Sequence, residues 1–569
     1  MTVSNENFSY TAPGYDKQIE ETLREIKDQK IAGRIWEKDY TLWSESPVEI
    51  TNRLGWLQSP EASLQLIKEI GYFVDDIRKE DFTDALLLGM GGSSLAPEVF
   101  QKIFGTKAGY LNLHVLDSTD PGAVLNYTRS LDPAKTLYIV STKSGGTIET
   151  ISFMKYFYNY SLSKLGESVT QNHFIAITDP GSGLQQMAKD LKFRKIFLND
   201  PNIGGRYSAL SLFGIVPAAL IGADLNTVLN RAAETGQLNK SGGGGDTASL
   251  LGAIMGVLAG ENIDKITFIL SPQISPFGGW VEQLIAESTG KAGKGILPVE
   301  SESIESPVFY SKDRLFVYIK SGYDSTFDAR FAELKKAGFP VVEIRWNDLN
   351  DLGAEFMRWE LATAIASWKM KIEPFDQPNV ESAKVLARGM INEFKKEGKL
   401  PELDPAGSFG NITVYSNIGA GTVFEIVSKA EEFLSQEDLP LRRYVSIQAY
   451  LTPGEKTTGA LQSLRTKIQK RFKVATTLGY GPRFLHSTGQ LHKGDAGNGL
   501  FIQLTSDIKE NASIPDEAGK DESAITFGTL IKAQALGDFK ALVDNKRTVI
   551  RFNLGGDITG SLNKLINLI

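Results

Sequence analysis

An α/β protein of more than one domain, each a mainly parallel sheet flanked by helices, is what this chain predicts, and three observations predict it. Its 569 residues exceed the size at which a single hydrophobic core stops growing, so at least two domains are expected. Short apolar, β-rich runs alternate with helix-sized segments from about residue 84 onward, as βαβ units require. Hydrophobic residues make up 41% and charged residues 23%, an ordinary globular composition that excludes a disordered or fibrous chain.

Taken in order, residues 1–80 read as a helical N-terminal extension, from stretches such as KQIEETLREIKDQKIAGRIWEKD. A first α/β domain is expected over 81–240, with strands at ALLLGMG, NLHVLDS, TLYIVSTKS, HFIAITD and RKIFLND. NKSGGGGDT (239–247) interrupts the pattern by its composition. The runs KITFILS, RLFVYIK, PVVEIRW, NITVYSN, YVSIQAY, LFIQLTS and TVIRFNL then predict a second α/β domain over 246–569. Within it, 355–397 is helical on either side of EPFDQPN, and 508–523 reads as an acidic surface loop. The most apolar stretches, 209–223 and 250–260, fall short of the roughly 18–20 residues of a membrane span and predict buried helices.

The 61 basic and 68 acidic residues leave a net charge of −7, so neither nucleic acid nor a membrane surface is an expected partner, and any anion site must be local. Cysteine is absent, which removes disulfides, thiolate metal sites and thiol nucleophiles and fits a reducing compartment. MTVSNENFSYTAPGYDKQ lacks the basic and apolar regions of a secretory signal. A cytoplasmic location is therefore expected.

Ligands of open α/β sheets bind beyond the carboxyl ends of the strands, so the loops after strands come first. In LLLGMGGSSLAPEVF (86–100) a strand runs into Gly89, Gly91 and Gly92, and then Ser93 and Ser94 open a helix. Glycines allow close backbone approach, and a helix N-terminus offers N–H groups to an anion. A dinucleotide fingerprint with Asp117 as its ribose acid fails at the third glycine, where Ser94 stands. In YIVSTKSGGTIETISF (138–153) a strand is followed by Thr142, Lys143, Ser144, Gly145, Gly146 and Thr147 and then a helix. Hydroxyls, glycines and a helix start form a cradle for a phosphomonoester; the spacing of a nucleoside-triphosphate loop is missing. A hydroxyl-capped helix without a ligand is the bland reading of the same residues.

Together with IGGRYSALSLFG (203–214), EQLIAESTGKAGKG (282–295) and EPFDQPNVESAK (373–384), these loops resemble the phosphoglucose isomerase family, and most closely the isomerase portion that some organisms fuse to a transaldolase. A barrel of the transaldolase kind, ~250 residues, does not fit before the first strand, so the isomerase alone is expected. The resemblance covers about 84–390 and returns at 479–555. It implies two sugar-isomerase domains with helical N- and C-terminal additions, the second with rearranged and inserted segments.

The resemblance also assigns residues. Arg206, after Gly205 in the GGRYS motif, is implied as a fixed positive charge beside an enediolate. Glu287 in AESTGK is the implied base, and Lys384 follows PFDQPNVE as in the family. The family histidine motif recurs out of order in LHSTGQLHKG, which gives His486 the histidine position after Lys384 rather than before it; chain order is immaterial if the fold assembles the groups. His486 and Lys384 are the implied ring-opening pair. Gly92, Ser93, Thr142, Lys143, Ser144 and Thr147 are the substrate and phosphate cradle, and Glu149 orients substrate hydroxyls or a neighbouring arginine. Gln377 and Asp376 are read as shaping a turn, and His492 as a surface or supporting residue.

The implied activity is reversible isomerisation of D-glucose 6-phosphate and D-fructose 6-phosphate, with a hexose 6-phosphate as substrate, no cofactor, no metal and a homodimer as the assembly. A sugar-phosphate-binding regulator would need the cradle but not the acid–base set. An amidotransferase-linked isomerase would ordinarily carry a cysteine nucleophile, which this chain lacks. Action on mannose 6-phosphate as well is left open by the motifs.

Overall fold

The computed structural model describes residues 7–242, 246–419, 421–436 and 443–569, and within them every side chain but those of 381–383. Of the glycine-rich interruption at 239–247, residues 243–245 lie outside the described residues.

All twelve runs expected as strands are strands. The first sheet has the order Asn112–Leu116, Asp84–Gly89, Thr136–Ser141, Phe174–Thr178, Lys195–Leu198, parallel throughout. Its middle strands are buried along their whole length, as sheets covered on both faces demand. The second sheet runs Phe8–Thr11, Val341–Trp346, Arg314–Ser321, Lys265–Leu270, Leu297–Val299. Its first member is antiparallel and comes from the N-terminus. Residues 1–80 are therefore helical (Asp16–Asp28, Ile31–Trp36, Ser59–Arg78) except for one strand that seals a sheet edge.

Residues 246–569 hold two large sheets where one domain was expected. The later strands form a sheet of their own, in the order Gly407–Phe409, Ile412–Ser416, Thr548–Asn553, Gly499–Thr505, Tyr444–Tyr450, Ala475–Tyr480. Its last four are parallel, and the first two are antiparallel additions. The physical reason lies at the edges of the second sheet. One edge is occupied by Phe8–Thr11, and the other ends in the three residues Leu297–Val299, so little free ladder remains for further strands.

The cores divide in the same way. Helices of 1–80, both earlier sheets and the buried helices Leu212–Leu220 and Thr247–Gly260 share one hydrophobic cluster. The third sheet encloses another with Leu461, Leu464 and Leu562. It meets the rest through Tyr444 and Phe501, packed with Ala286 and Val299. Among the described residues no helix is long and apolar enough to cross a membrane.

Candidate active site

The strand Asp84–Gly89 lies between Asn112–Leu116 and Thr136–Ser141. The chain winds first to one side of it and then to the other, which opens a crevice at the carboxyl ends. Both predicted loops begin there. They line a cavity of about 470 Å³ together with Ser182, Gln283, Glu287, Gln377, Lys384 and His486. Gly92 is required by close approach: a Cβ at this position would lie 2.0 Å from the carbonyl oxygen of Gly205. The glycine pair is thus what lets the first loop and the GGRYS turn touch.

On the phosphate side, Thr142 and Thr147 join their hydroxyls at 3.0 Å, and Ser144 Oγ accepts from the Gly146 amide at 3.3 Å. Thr147 is the N-cap of the helix Ile148–Leu165 and makes no side-chain capping bond, so its hydroxyl leaves the first N–H groups of that helix uncapped. Lys143 also lines the cavity, but its ammonium is paired with Asp179 and donates to the Pro201 carbonyl at 2.8 Å. Its charge is already compensated within the protein, which leaves hydroxyls and backbone groups as the remaining donors at this end of the cavity. Replacing Thr142, Ser144 and Thr147 together by alanine is expected to raise KM about tenfold or more with kcat within a few-fold, because each hydroxyl binds a group that does not react; initial-rate kinetics over a range of hexose 6-phosphate concentrations checks this.

On the reacting side, Glu287 sits in the last turns of the helix Phe277–Thr289 with its side chain 14% exposed. Gln283, one turn earlier on the same face, donates to Glu287 Oε2 at 3.1 Å and to the His486 carbonyl at 2.7 Å. Arg206 stands behind Glu287, with NH1 3.3 Å from Oε1. Its Nε donates to Ser288 Oγ at 3.0 Å, NH1 to Gln377 Oε1 at 2.9 Å, and NH2 to the carbonyls of Pro374 at 2.5 Å and Asp376 at 2.8 Å. With these partners the guanidinium is a clamp that holds the PFDQP turn against Glu287. Its charge reaches the cavity through Glu287 and Gln377, which line it. Lys291 holds the same turn from below, donating at 2.6 Å to the Glu373 and Asp376 carbonyls and to Asp376 Oδ1. Burial and the neighbouring Arg206 charge bring its ammonium down to about 8. Lys384, in the first turns of the helix Val380–Glu397, lines the same cavity.

His486 arrives from the third sheet, on the segment after the strand Ala475–Tyr480. The out-of-order motif therefore reaches the site through a separate lobe. Three contacts fix it. Gly91, at φ +54°, leaves room for the His486 carbonyl, which a Cβ would approach to 2.8 Å. Gln283 holds that carbonyl. Arg483 is paired with Glu98 on the helix Leu95–Phe104 and, at 2.9 Å, with Asp117 just after the strand Asn112–Leu116. Burial by itself would raise the Glu98 carboxyl, but the charges of Arg483 and Lys102 outweigh it and hold it at about 2. Arg483→Ala would leave Asp117 without its ion-pair partner and Glu98 with Lys102 alone. A lower thermal midpoint by calorimetry is expected, with kcat falling by up to about 10²-fold, the scale of a 1 Å misplacement.

The imidazole itself meets Glu149: His486 Nε2 lies 3.0 Å from Oε1. Burial would push the Glu149 carboxyl up; the charge and hydrogen bond of His486, aided by Lys384, hold it below its ordinary value. Glu149 and His486 also line a second chamber of about 260 Å³ that shares Ser144, Thr147, Val380 and Lys384 with the first.

All the residues singled out from the sequence as site residues line these connected cavities except Arg206, which lies directly behind them. His492 is not at the surface: it is 1% exposed, with ring nitrogens 3.3 Å from Ser446 and Gln448. Burial and the charges of Lys493 and Arg547 keep it far below the ordinary histidine value, so it is neutral in the core. Gln377 does more than shape a turn, since it receives Arg206 and faces the cavity. Sequence reasoning missed Gln283, whose place four residues before Glu287 was a readable signal, and Gln534, whose place was not readable from any local pattern. Asp117, weighed as a ribose acid, is the partner of Arg483.

Residues 70–300 match the family model described as phosphoglucose isomerase. A glucose-6-phosphate isomerase of Thermus thermophilus is 27% identical over 386 residues, covering 59% of this chain and 89% of its own length. A probable glucose-6-phosphate isomerase of Methanococcus maripaludis is 25% identical over 428 residues, covering 68% of this chain and 95% of its own. Among solved structures, a hypothetical protein from Thermus thermophilus superposes with a TM-score of 0.57 at 24% identity, covering 66% of this chain and 97% of that one. A glucose-6-phosphate isomerase from Chlamydia trachomatis superposes with a TM-score of 0.52 at 18% identity, covering 69% and 90%. The likeness to phosphoglucose isomerase read from the motifs is thereby borne out, and so is the α/β fold.

Proposed function

We propose, from this kinship with the phosphoglucose isomerase family, that the chain interconverts D-glucose 6-phosphate and D-fructose 6-phosphate by ring opening followed by proton transfer between C1 and C2. The carrying observation is a single cavity that joins a hydroxyl and helix-start cradle to a half-buried carboxylate, Glu287, with Lys384 and His486 at its wall. The cradle takes the 6-phosphate. Glu287 carries one proton between the two carbons, a task for a positioned carboxylate. His486, in contact with Glu149, and Lys384 move the protons of the ring oxygen and the anomeric hydroxyl. Arg206 compensates Glu287 from behind and keeps Gln377 in place beside the enediolate. The reaction is an internal redox change of the sugar, so electrons balance without a redox cofactor.

A glycolytic and gluconeogenic role, a cytoplasmic location and a homodimer belong to the same proposal. One chain supplies Glu287, Lys384, Arg206, Glu149 and His486, so the homodimer is not needed to complete a site. Mixing Glu287→Gln with His486→Ala protein is therefore expected to restore no activity, whereas recovery would mean that these residues cross between copies. The direct test of the function is conversion of fructose 6-phosphate by purified protein, coupled to glucose-6-phosphate oxidation. Binding of the sugar phosphate without conversion would replace this reading with that of a regulator.

A further inference from the structure

The helix Phe527–Asp544 of the third lobe lies against the helix Val380–Glu397 and carries Gln534, 3% exposed. Its Nε2 donates to Glu149 Oε1 at 2.7 Å, the oxygen that His486 Nε2 also meets at 3.0 Å. Its own Oε1 accepts from Thr119 Oγ1 at 2.6 Å, and Thr119 is fully buried. The direction of this carboxamide is dictated by its neighbours. A hydroxyl serves either end of an amide, but reversal would set the amide oxygen against an ionised carboxylate oxygen at hydrogen-bond distance. One turn on, Asp538 pairs with buried Lys493 at 2.7 Å, seven residues after His486, so the same helix backs the whole histidine segment.

We propose that Gln534 is a positioning residue for the isomerisation: its N–H keeps Glu149 an acceptor, so that His486 holds a proton on Nε2 and exchanges protons with the sugar through Nδ1. The step balances in a simple way. To open the ring, the imidazolium gives its Nδ1 proton to the ring oxygen as the C1–O5 bond breaks, and the C1 hydroxyl proton leaves to a second base; closure reverses this. Glu149 remains a carboxylate throughout, with Oε1 holding two N–H donors. The net downward shift of its carboxyl agrees. The charged groups facing His486 are Glu149 from the helix Ile148–Leu165, Lys384 and Arg388 from Val380–Glu397, Lys493 from its own segment, and Asp117 beyond Arg483. None of these replaces the neutral donor that Gln534 supplies. The proposal rests on the isomerase reading for its kinetic consequence, but not for its spectroscopic one.

Gln534→Leu removes the donor while keeping volume. The carboxylate then has one donor fewer, which raises its own proton affinity and loosens its hold on the Nε2–H tautomer of His486. In protein labelled with nitrogen-15 histidine, only four residues contribute, and His486 is assigned by its loss in His486→Ala. The wild type is expected to show the Nε2–H tautomer, and Gln534→Leu a mixture of the two tautomers. kcat is expected to fall roughly tenfold, a part of what a positioned acid–base group supplies, with KM within twofold. In a His486→Ala background the same change should cost nothing further. Thr119→Val, which releases the amide oxygen, is the second variant and should give a smaller change of tautomer in the same direction should Gln534→Leu not fold. An unchanged His486 tautomer, or an equal loss of kcat with and without His486, would overturn the proposal. Because the nitrogen spectrum requires no turnover, a protein that binds hexose phosphate without isomerising it would fail the assay and still answer this question.

Discussion

Glu287→Gln is expected to abolish exchange of the sugar's C2 proton with solvent, whether the substrate is supplied as the ring or in open-chain form. The amide keeps the shape of the side chain and can still face Gln283 and Arg206, but it cannot accept a proton from carbon at any working pH. A positioned acid–base group contributes roughly 10²–10⁴-fold, so kcat should fall within that range. KM should move little, because the phosphate cradle lies at the other end of the cavity. The measurement is loss of deuterium from C2-labelled glucose 6-phosphate followed by proton NMR. Exchange at the wild-type rate would remove Glu287 as the base.

His486→Ala is expected to separate the two halves of the reaction. Turnover of cyclic glucose 6-phosphate should drop by about 10²-fold or more, while exchange on an open-chain phosphosugar largely survives, since Glu287 is intact. Its pH dependence follows from Glu149. The Glu149 carboxyl titrates below its ordinary 4.5 in the folded protein, so the stabilisation it lends to the histidine is fully present above that value and is lost only as the pH falls through the depressed one. Because the histidine acts on the ring oxygen in its protonated form, the fall of kcat/KM at high pH should vanish in His486→Ala and persist in Glu287→Gln wherever rates remain measurable. His492→Ala, by contrast, removes a buried neutral ring packed at 5.1 Å against Phe501. It should lower the thermal midpoint and leave ring opening intact. If cyclic substrate were turned over normally by His486→Ala and not by His492→Ala, the two histidines would have to exchange roles.

Read alone, the sequence gives the α/β class, the positions of twelve strands and many of the side chains that line the candidate cavity. These are legible because they are local. A strand announces itself by an apolar run, a phosphate cradle by glycines and hydroxyls between a strand and a helix, and Glu287, Lys384 and His486 by short motifs around them. Even His486, found on the wrong side of Lys384 in the chain, could be recognised from its neighbours. What only the tertiary structure decided are the relations between distant segments. Periodicity says that a run is a strand but not which edge it joins, so the third sheet was hidden until Phe8–Thr11 and Leu297–Val299 were seen to leave the second sheet little room. The same limit concealed the burial of His492, the enclosure of Arg206 by the PFDQP turn, and the meeting of Gln534 with Glu149 across 385 residues. Hydrogen bonds of that span depend on the docking of whole lobes, because a side chain's partner is chosen by where two backbones come to lie and leaves no spacing in the chain for a reader to find.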